Sequence, residues 1–229
     1  MRKELTHAVE DYLKAIYEIS LEDGRASTTR LAVELGVTPA SVTGMLQKLS
    51  GMPAPLIEYK KHHGASLTPD GERVALEIIR HHRLIEMFLQ ERLGYTWDEV
   101  HDEADRLEHV ISEGFEDRIA RDLGHPAYDP HGDPIPSSDL QVPEFLAAPL
   151  NEMSPCGRVI IRRVRDSDAD LLRYLSELGI MPQVEIELLE RSPYDGNLTL
   201  KVVGGDAPVV LGPQVTCQIY VEALNSEAS

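Results

Sequence analysis

His82 and Glu86 stand four residues apart, and His101, Asp105, Glu108 and His109 follow within one short run. On a 3.6-residue helix the first two share a face, and the other four fall within about 100° of one another. A stripe of acids and imidazoles repels itself unless a cation lies along it. Two such helices facing each other would supply six nitrogen and oxygen ligands, with no thiolate among them. Carboxylate and imidazole donors suit Mn²⁺ or Fe²⁺ in near-octahedral geometry better than a structural zinc centre. The plain alternative is an amphipathic helix pair with i,i+4 ion pairs to Arg83 and Arg106.

The elements that must hold these groups are legible in the pattern. Thr68-Pro69 opens a long helix reaching about Leu93 and ended by Gly94. Thr96-Trp97-Asp98-Glu99 is a capping-box sequence that starts the next one. Nearer the start of the chain, Val9, Leu13, Ile16 and Tyr17 repeat with helical period, so Ala8–Leu21 is read as a helix. Ser27 and Thr28 cap a short helix running to Leu35, and Gly36 suits its left-handed stop. Thr38 caps a further helix, Pro39–Leu49, which buries Val42, Met45, Leu46 and Leu49. That is helix-turn-helix spacing. Its outer face, Ala40, Ser41, Thr43, Gly44, Gln47 and Lys48, is small, polar and free of acid, as a helix entering a major groove must be. Leu56–Tyr59 and Ala65–Leu67 read as strands around the tip Lys60-Lys61-His62-His63-Gly64, a wing whose cations would lie on phosphate. The DNA-facing set expected is Thr28, Thr29, Thr38, Pro39, Ala40, Ser41, Thr43, Gly44, Lys48, Lys60 and Lys61.

Composition narrows the function classes. The 229 residues carry a net charge of -17, which argues against a nonspecific nucleic-acid coat. Residues 25–65 nevertheless hold Arg25, Arg30, Lys48, Lys60 and Lys61 against only Glu34 and Glu58. Residues 66–145 carry seven basic and nineteen acidic side chains and six of the nine histidines, a composition suited to cations. Seven of the fifteen prolines fall in residues 126–155, read as an extended tether or a peptide docked on a neighbouring domain. No apolar run approaches the roughly 18 residues of a membrane span, and Met1-Arg2-Lys3-Glu4 has no signal-peptide core. Cys156 and Cys217 are read as reduced thiols, and a cytoplasmic location is expected. His125 and His131, in the proline-rich stretch, are expected to do no chemistry, and Trp97 to pack. The division expected is 1–70, a winged helix-turn-helix; 71–140, a helical metal-binding and dimerisation domain; 141–156, a proline-rich linker; and 157–229, a small β domain.

The run Asp11-Tyr12-Leu13-Lys14-Ala15-Ile16-Tyr17, the winged helix, and His101-Asp102-Glu103-Ala104-Asp105-Arg106-Leu107-Glu108-His109 together resemble the diphtheria toxin repressor family, which includes manganese transport regulators. The resemblance extends through His131-Gly132-Asp133-Pro134-Ile135-Pro136 to Leu178-Gly179-Ile180-Met181-Pro182, which looks like the third, SH3-like domain of longer members. It implies a mainly α fold with a small C-terminal SH3-like (FeoA-like) β-barrel. It also implies a homodimer that binds double-stranded operator DNA, represses metal-uptake genes, and carries about two Mn²⁺ or Fe²⁺ ions per subunit. By position, the primary site would be Asp11, Asp105, Glu108 and His109. A second site would be His82, Glu86 and His101 with Asp168 of the third domain. Iron-responsive members usually carry Met at the position of Asp11 and Cys at that of Asp105, so the oxygens here point to manganese. Two positions depart from the pattern: Lys14 replaces the Glu of paired-metal members, and Leu171 replaces a Gln, so that either Asp170 substitutes or the second site loses a ligand.

Two other classes compete. Asp105-Arg106-Leu107-Glu108-His109 is one residue away from the His-x-x-Glu-His of inverted zincin peptidases. Hydrolysis needs an open coordination position and a free general base, and a peptidase has no use for a basic wing. An interaction protein with a purely structural metal is the third reading. The expectation is a regulator without enzymatic activity, membrane contact or small-molecule substrate.

Overall fold

The computed structural model describes residues 5–154, 157–165 and 168–224. Among the described residues the elements run α1 (His7–Asp23), α2 (Thr28–Glu34), α3 (Pro39–Ser50), β1 (Ile57–Lys60), β2 (Gly64–Leu67), α4 (Pro69–Leu93), α5 (Val100–Leu107) and α6 (Glu113–Asp122). They continue β3 (Ala148–Pro149), β4 (Gly157–Val164), α7 (Ala169–Glu177), β5 (Glu185–Arg191), β6 (Leu198–Val202), β7 (Val209–Leu211), α8 (Pro213–Thr216) and β8 (Ile219–Ala223). The chain divides into two compact units. The first takes in the chain through His82 together with Arg106–Glu113 and Pro136–Gln141; the second takes in Arg83–Asp105, Gly114–Ile135 and the chain from Val142 onward.

In the first unit, α1, α2 and α3 close over Leu13, Ile16, Leu31, Val42, Leu46 and Leu49, all fully buried. Each such side chain contributes about 2 kcal/mol relative to exposure. Ser27 Oγ accepts from Arg30 N, and Thr38 Oγ1 accepts from Ser41 N, so both helices of the reading pair start on a side-chain cap. β1 and β2 pair antiparallel from Ile57↔Leu67 to Lys60↔Gly64. Gly64 has φ 79°, and a Cβ there would meet Ala26 O at 2.6 Å, so the wing closes against the chain before α2 only because this position has no side chain.

The second unit holds an antiparallel sheet ordered β3-β8-β4-β5-β6-β7. The expected barrel is not closed: among the described residues β3 and β7 do not pair with each other. These edge strands span only two and three residues, too few for a closing ladder. Trp97, from the turn between α4 and α5, is buried in the core of this sheet with Ile161, Leu175, Ile186 and Ile219. The proline-rich stretch is docked rather than loose where it begins. Ile135 packs with Leu84, Ile119 and Ala120, and Pro134 O accepts from Arg83 Nη1 at 2.6 Å. No helix among the described residues is long and apolar enough to cross a membrane.

Candidate functional site

The first unit brings Asp11, Glu108 and His109 together, each offering one ligand atom within 4.8 Å of the others. Asp11 comes from α1, whereas Glu108 and His109 lie in the turn after α5. That helix stops at Leu107, so the run does not continue as the single helical stripe expected. Val110 N and Ile111 N both donate to Leu107 O, which tightens the exit and turns Glu108 and His109 inward. His109 Nε2 stands 2.8 Å from Asp11 Oδ1 and 3.4 Å from Glu108 Oε1, while Nδ1 stands 2.7 Å from Glu10 Oε2. His7 stacks on the ring, centroids 4.6 Å apart. Burial pulls the His109 pKa down, but the hydrogen bonds to Asp11 and Glu10 and the charge of Glu108 outweigh it and hold it above 6.5.

The other oxygen of Glu108 is engaged differently. Glu108 Oε2 accepts from Lys14 Nζ at 2.8 Å and lies 2.6 Å from His82 Nδ1. Burial pushes the Glu108 carboxyl up, yet the His82 hydrogen bond and the Lys14 charge prevail and hold it below 4.5. Thus His82 is placed beside Glu108 within the first unit.

The second unit contains Glu86, His101 and Asp105. Glu86 is fully buried, with Oε1 3.3 Å from His101 Nδ1 and Oε2 3.7 Å from His131 Nδ1. His101 Nε2 lies 3.7 Å from the exposed Asp105 Oδ2. Glu86, Asp129 and His131 form a second ligand group, every member buried. His131, expected to do no chemistry, is an interior residue; its Nε2 stands 2.6 Å from Trp97 O. Gly132 explains the placement: with φ 91°, it lets the loop approach β4 so closely that a Cβ would meet Arg162 O at 1.8 Å. Burial, then the charges of Asp133 and Glu86, raise the Asp129 pKa well above 3.8. Asp129 Oδ1 accepts from His131 N and Asp133 N, and its Oδ2 lies 3.6 Å from Arg83 Nε, so the loop closes around this carboxyl. Arg83 and Arg163 hold Asp133 at 3.3 and 2.8 Å, which fixes the loop from two sides.

Asp168 does not join a ligand group among the described residues; its Oδ1 caps α7, accepting from Asp170 N and Leu171 N. Cys156 lies outside the described residues, and Cys217 Sγ donates to Gln214 O. Of the residues expected to face DNA, Thr38, Pro39, Ala40, Ser41, Gly44 and Lys48 are exposed, with Thr43 half-buried and its hydroxyl donating to Pro39 O. Thr29, Lys60 and Lys61 are exposed and Thr28 is half-buried. His62 and His63 are exposed at the wing tip, and His125 is also exposed.

Sequence reasoning did not single out His7, Glu10 or Asp129. Glu10 and His7 carried a signal, since both lie within one helical turn of Asp11. Asp129 and His131 had none beyond their neighbourhood, because a loop has no period to read.

Residues 4–65 match the family described as iron dependent repressor, N-terminal DNA binding domain. Residues 68–137 match iron dependent repressor, metal binding and dimerisation domain, and residues 148–223 match the FeoA domain. The iron-dependent repressor IdeR of Mycobacterium tuberculosis is 31% identical over 231 residues, covering 96% of this chain and 98% of the relative. The diphtheria toxin repressor of Corynebacterium diphtheriae is 28% identical, covering 91% and 94%. Among solved structures, a manganese-dependent transcriptional repressor in complex with manganese superposes with a TM-score of 0.88 at 37% identity, covering 94% of this chain and all of that one.

Proposed function

The chain belongs to the iron-dependent repressor family, and from that premise we propose that it is a metal-dependent DNA-binding regulator, a repressor of metal-uptake genes that acts as a homodimer. The carrying observation is that Asp11, on the first helix of the reading head, converges on Glu108 and His109. Two carboxylates and an imidazole form a donor set that fits a hard-to-borderline divalent cation, so these three residues would hold it. When bound, the ion supplies positive charge that binds α1 to the 106–113 segment more tightly than the residues bind each other.

The chain's own groups do the rest. α1 shares its core with α2, α3 and the wing, so fixing α1 fixes the α3 face that presents Ser41, Thr43 and Gly44 to base edges. Lys48, Lys60 and Lys61 are proposed to rest on phosphate. Because the two bindings share one state of the head, DNA must raise metal affinity by the factor by which metal raises DNA affinity. Lys14 places its ammonium against Glu108, which limits that position to one divalent ion. Any second ion is proposed at Glu86, Asp129 and His131, with His101 on the other oxygen of Glu86. Manganese is the proposed metal, since no soft ligand stands in either group. Exposed Leu93 and Phe115 in the helical region offer apolar surface to a second copy. The domain limits proposed are 1–70, 71–140, 141–156 and 157–229, and the proposed location is the cytoplasm.

The peptidase reading is not favoured, because Glu108 is engaged by Lys14 and His82 rather than poised as a general base. Selection of operators from random duplex DNA in Mn²⁺, Fe²⁺ or chelator tests the proposal. Enrichment of one sequence with metal and none with chelator is expected. Equal enrichment with chelator would reject metal dependence.

A further inference from the structure

Asp11 is not the only residue of α1 that grips His109. Glu10 Oε2 lies 2.7 Å from His109 Nδ1, within hydrogen-bond reach, and both side chains are buried. Asp11 faces the opposite ring nitrogen at 2.8 Å, and His7, one turn back, stacks on the ring at 4.6 Å. Successive residues on a helix diverge by about 100°, which is why adjacent carboxylates can straddle one imidazole. The two nitrogens consequently face different environments: Nδ1 meets a carboxylate outside the ligand group, whereas Nε2 meets Asp11 and Glu108.

We propose that Glu10 is a positioning residue that fixes the tautomer and orientation of His109, so that Nε2 is the nitrogen presented to metal. The inference deepens the metal reading of Asp11, Glu108 and His109 and rests on it. A neutral imidazole carries one N–H, and a carboxylate accepts only from the nitrogen that bears it. With the proton held on Nδ1 by Glu10, the lone pair on Nε2 is free for a cation, and the carboxylate also makes that nitrogen a stronger donor. Glu10 is not itself a ligand here, because its oxygen sits on the ring edge turned away from the group. Its second effect is mechanical: α1 holds the 106–113 segment by a contact that does not pass through the ion.

Protein labelled with ¹⁵N-histidine and loaded with ¹¹³Cd²⁺ tests this, with His109 assigned from the spectrum of His109→Gln. Wild type should show cadmium–nitrogen coupling at Nε2 of His109 and a proton on Nδ1. Glu10→Leu should lose or move that coupling and bind Cd²⁺ about 10- to 100-fold more weakly. Glu10→Gln keeps an acceptor oxygen, so its coupling should stay on Nε2 while affinity falls only severalfold. If the Leu variant fails to fold, the Gln variant decides alone. Unchanged affinity with coupling still on Nε2 in the folded variants would overturn the positioning role. Absence of any coupling to His109 in wild type would instead overturn the metal reading beneath it.

Discussion

Lys14 Nζ lies 2.8 Å from Glu108 Oε2, an ammonium set against a buried carboxylate that also faces the metal-ligand group. The pair lets Glu108 remain ionised in the interior without an ion beside it. Lys14→Met removes that counter-charge and leaves Glu108 to His82. Metal-free stability should drop by about 3 kcal/mol, the low end for breaking a buried pair. Saturating Mn²⁺ should restore much of it. Urea unfolding with and without Mn²⁺ measures both, and no loss in the metal-free protein would show that the pair contributes nothing.

The raised pKa of His109 predicts how metal-free stability varies with pH. Its folded value lies above 6.5, so folding favours the protonated ring between Glu10 and Asp11. That contribution is complete below about 6.5 and is lost as pH rises through the folded value. Stability in chelator should therefore decline from mildly acidic to alkaline pH, with a shallower decline in His109→Gln. Denaturant melts across that range would settle it, and parallel profiles would remove His109 as the source.

Asp11→Met replaces a hard, charged oxygen with a soft, neutral thioether. Operator binding should need more Mn²⁺ but respond comparatively better to Fe²⁺, Co²⁺ or Ni²⁺. Asp11 is 44% exposed, so the longer side chain is accommodated without disturbing the core. Titrating each metal against operator binding distinguishes the cases. An unmoved Mn²⁺ midpoint would mean that Asp11 is not a ligand.

His131→Ala should reduce metal stoichiometry while the saturated protein still binds operator, because the Glu86–Asp129–His131 group includes no residue of the reading head. Elemental analysis beside a DNA titration gives both readouts. Loss of operator binding at every metal concentration would make this group the primary one.

Lys48→Ala should weaken all operators about equally and lower the salt slope of binding by about one unit. A sequence-dependent loss with an unchanged slope would place Lys48 on a base instead.

Which parts of this were legible in the sequence follows from where periodicity exists. α1 and α3 could be read because apolar residues recur along them, α4 because Thr68-Pro69 and Gly94 bound it, and the Thr38 cap and Pro39 mark a helix start by themselves. The capping box before α5 was also legible: Thr96 N and Oγ1 both donate to Glu99. The end of α5 was not. Glu108 and His109 continue the helical spacing on paper, but backbone hydrogen bonds from Val110 and Ile111 to Leu107 O fold them into a turn. The burial of His131 was not legible, because its surroundings come from Glu86, Trp97 and β4, far away in the chain. Burial of a loop histidine is a tertiary fact with no local signature.

The strand order β3-β8-β4 places β8, the C-terminal strand among the described residues, inside the sheet, hydrogen-bonded on both sides. On the ribosome, the first unit's main hydrophobic cluster, drawn from Val9 to Ala75, has its residues in hand early, as local contacts favour. The second unit must wait for Ile219–Ala223 before Trp97 and the sheet can close around each other. During synthesis the hydrophobic cluster of the reading head is therefore complete before the β3-β8-β4 part of the sheet can pair. A nascent chain stalled short of β8 would carry a finished reading head followed by a sheet whose β3 and β4 still lack the strand that joins them.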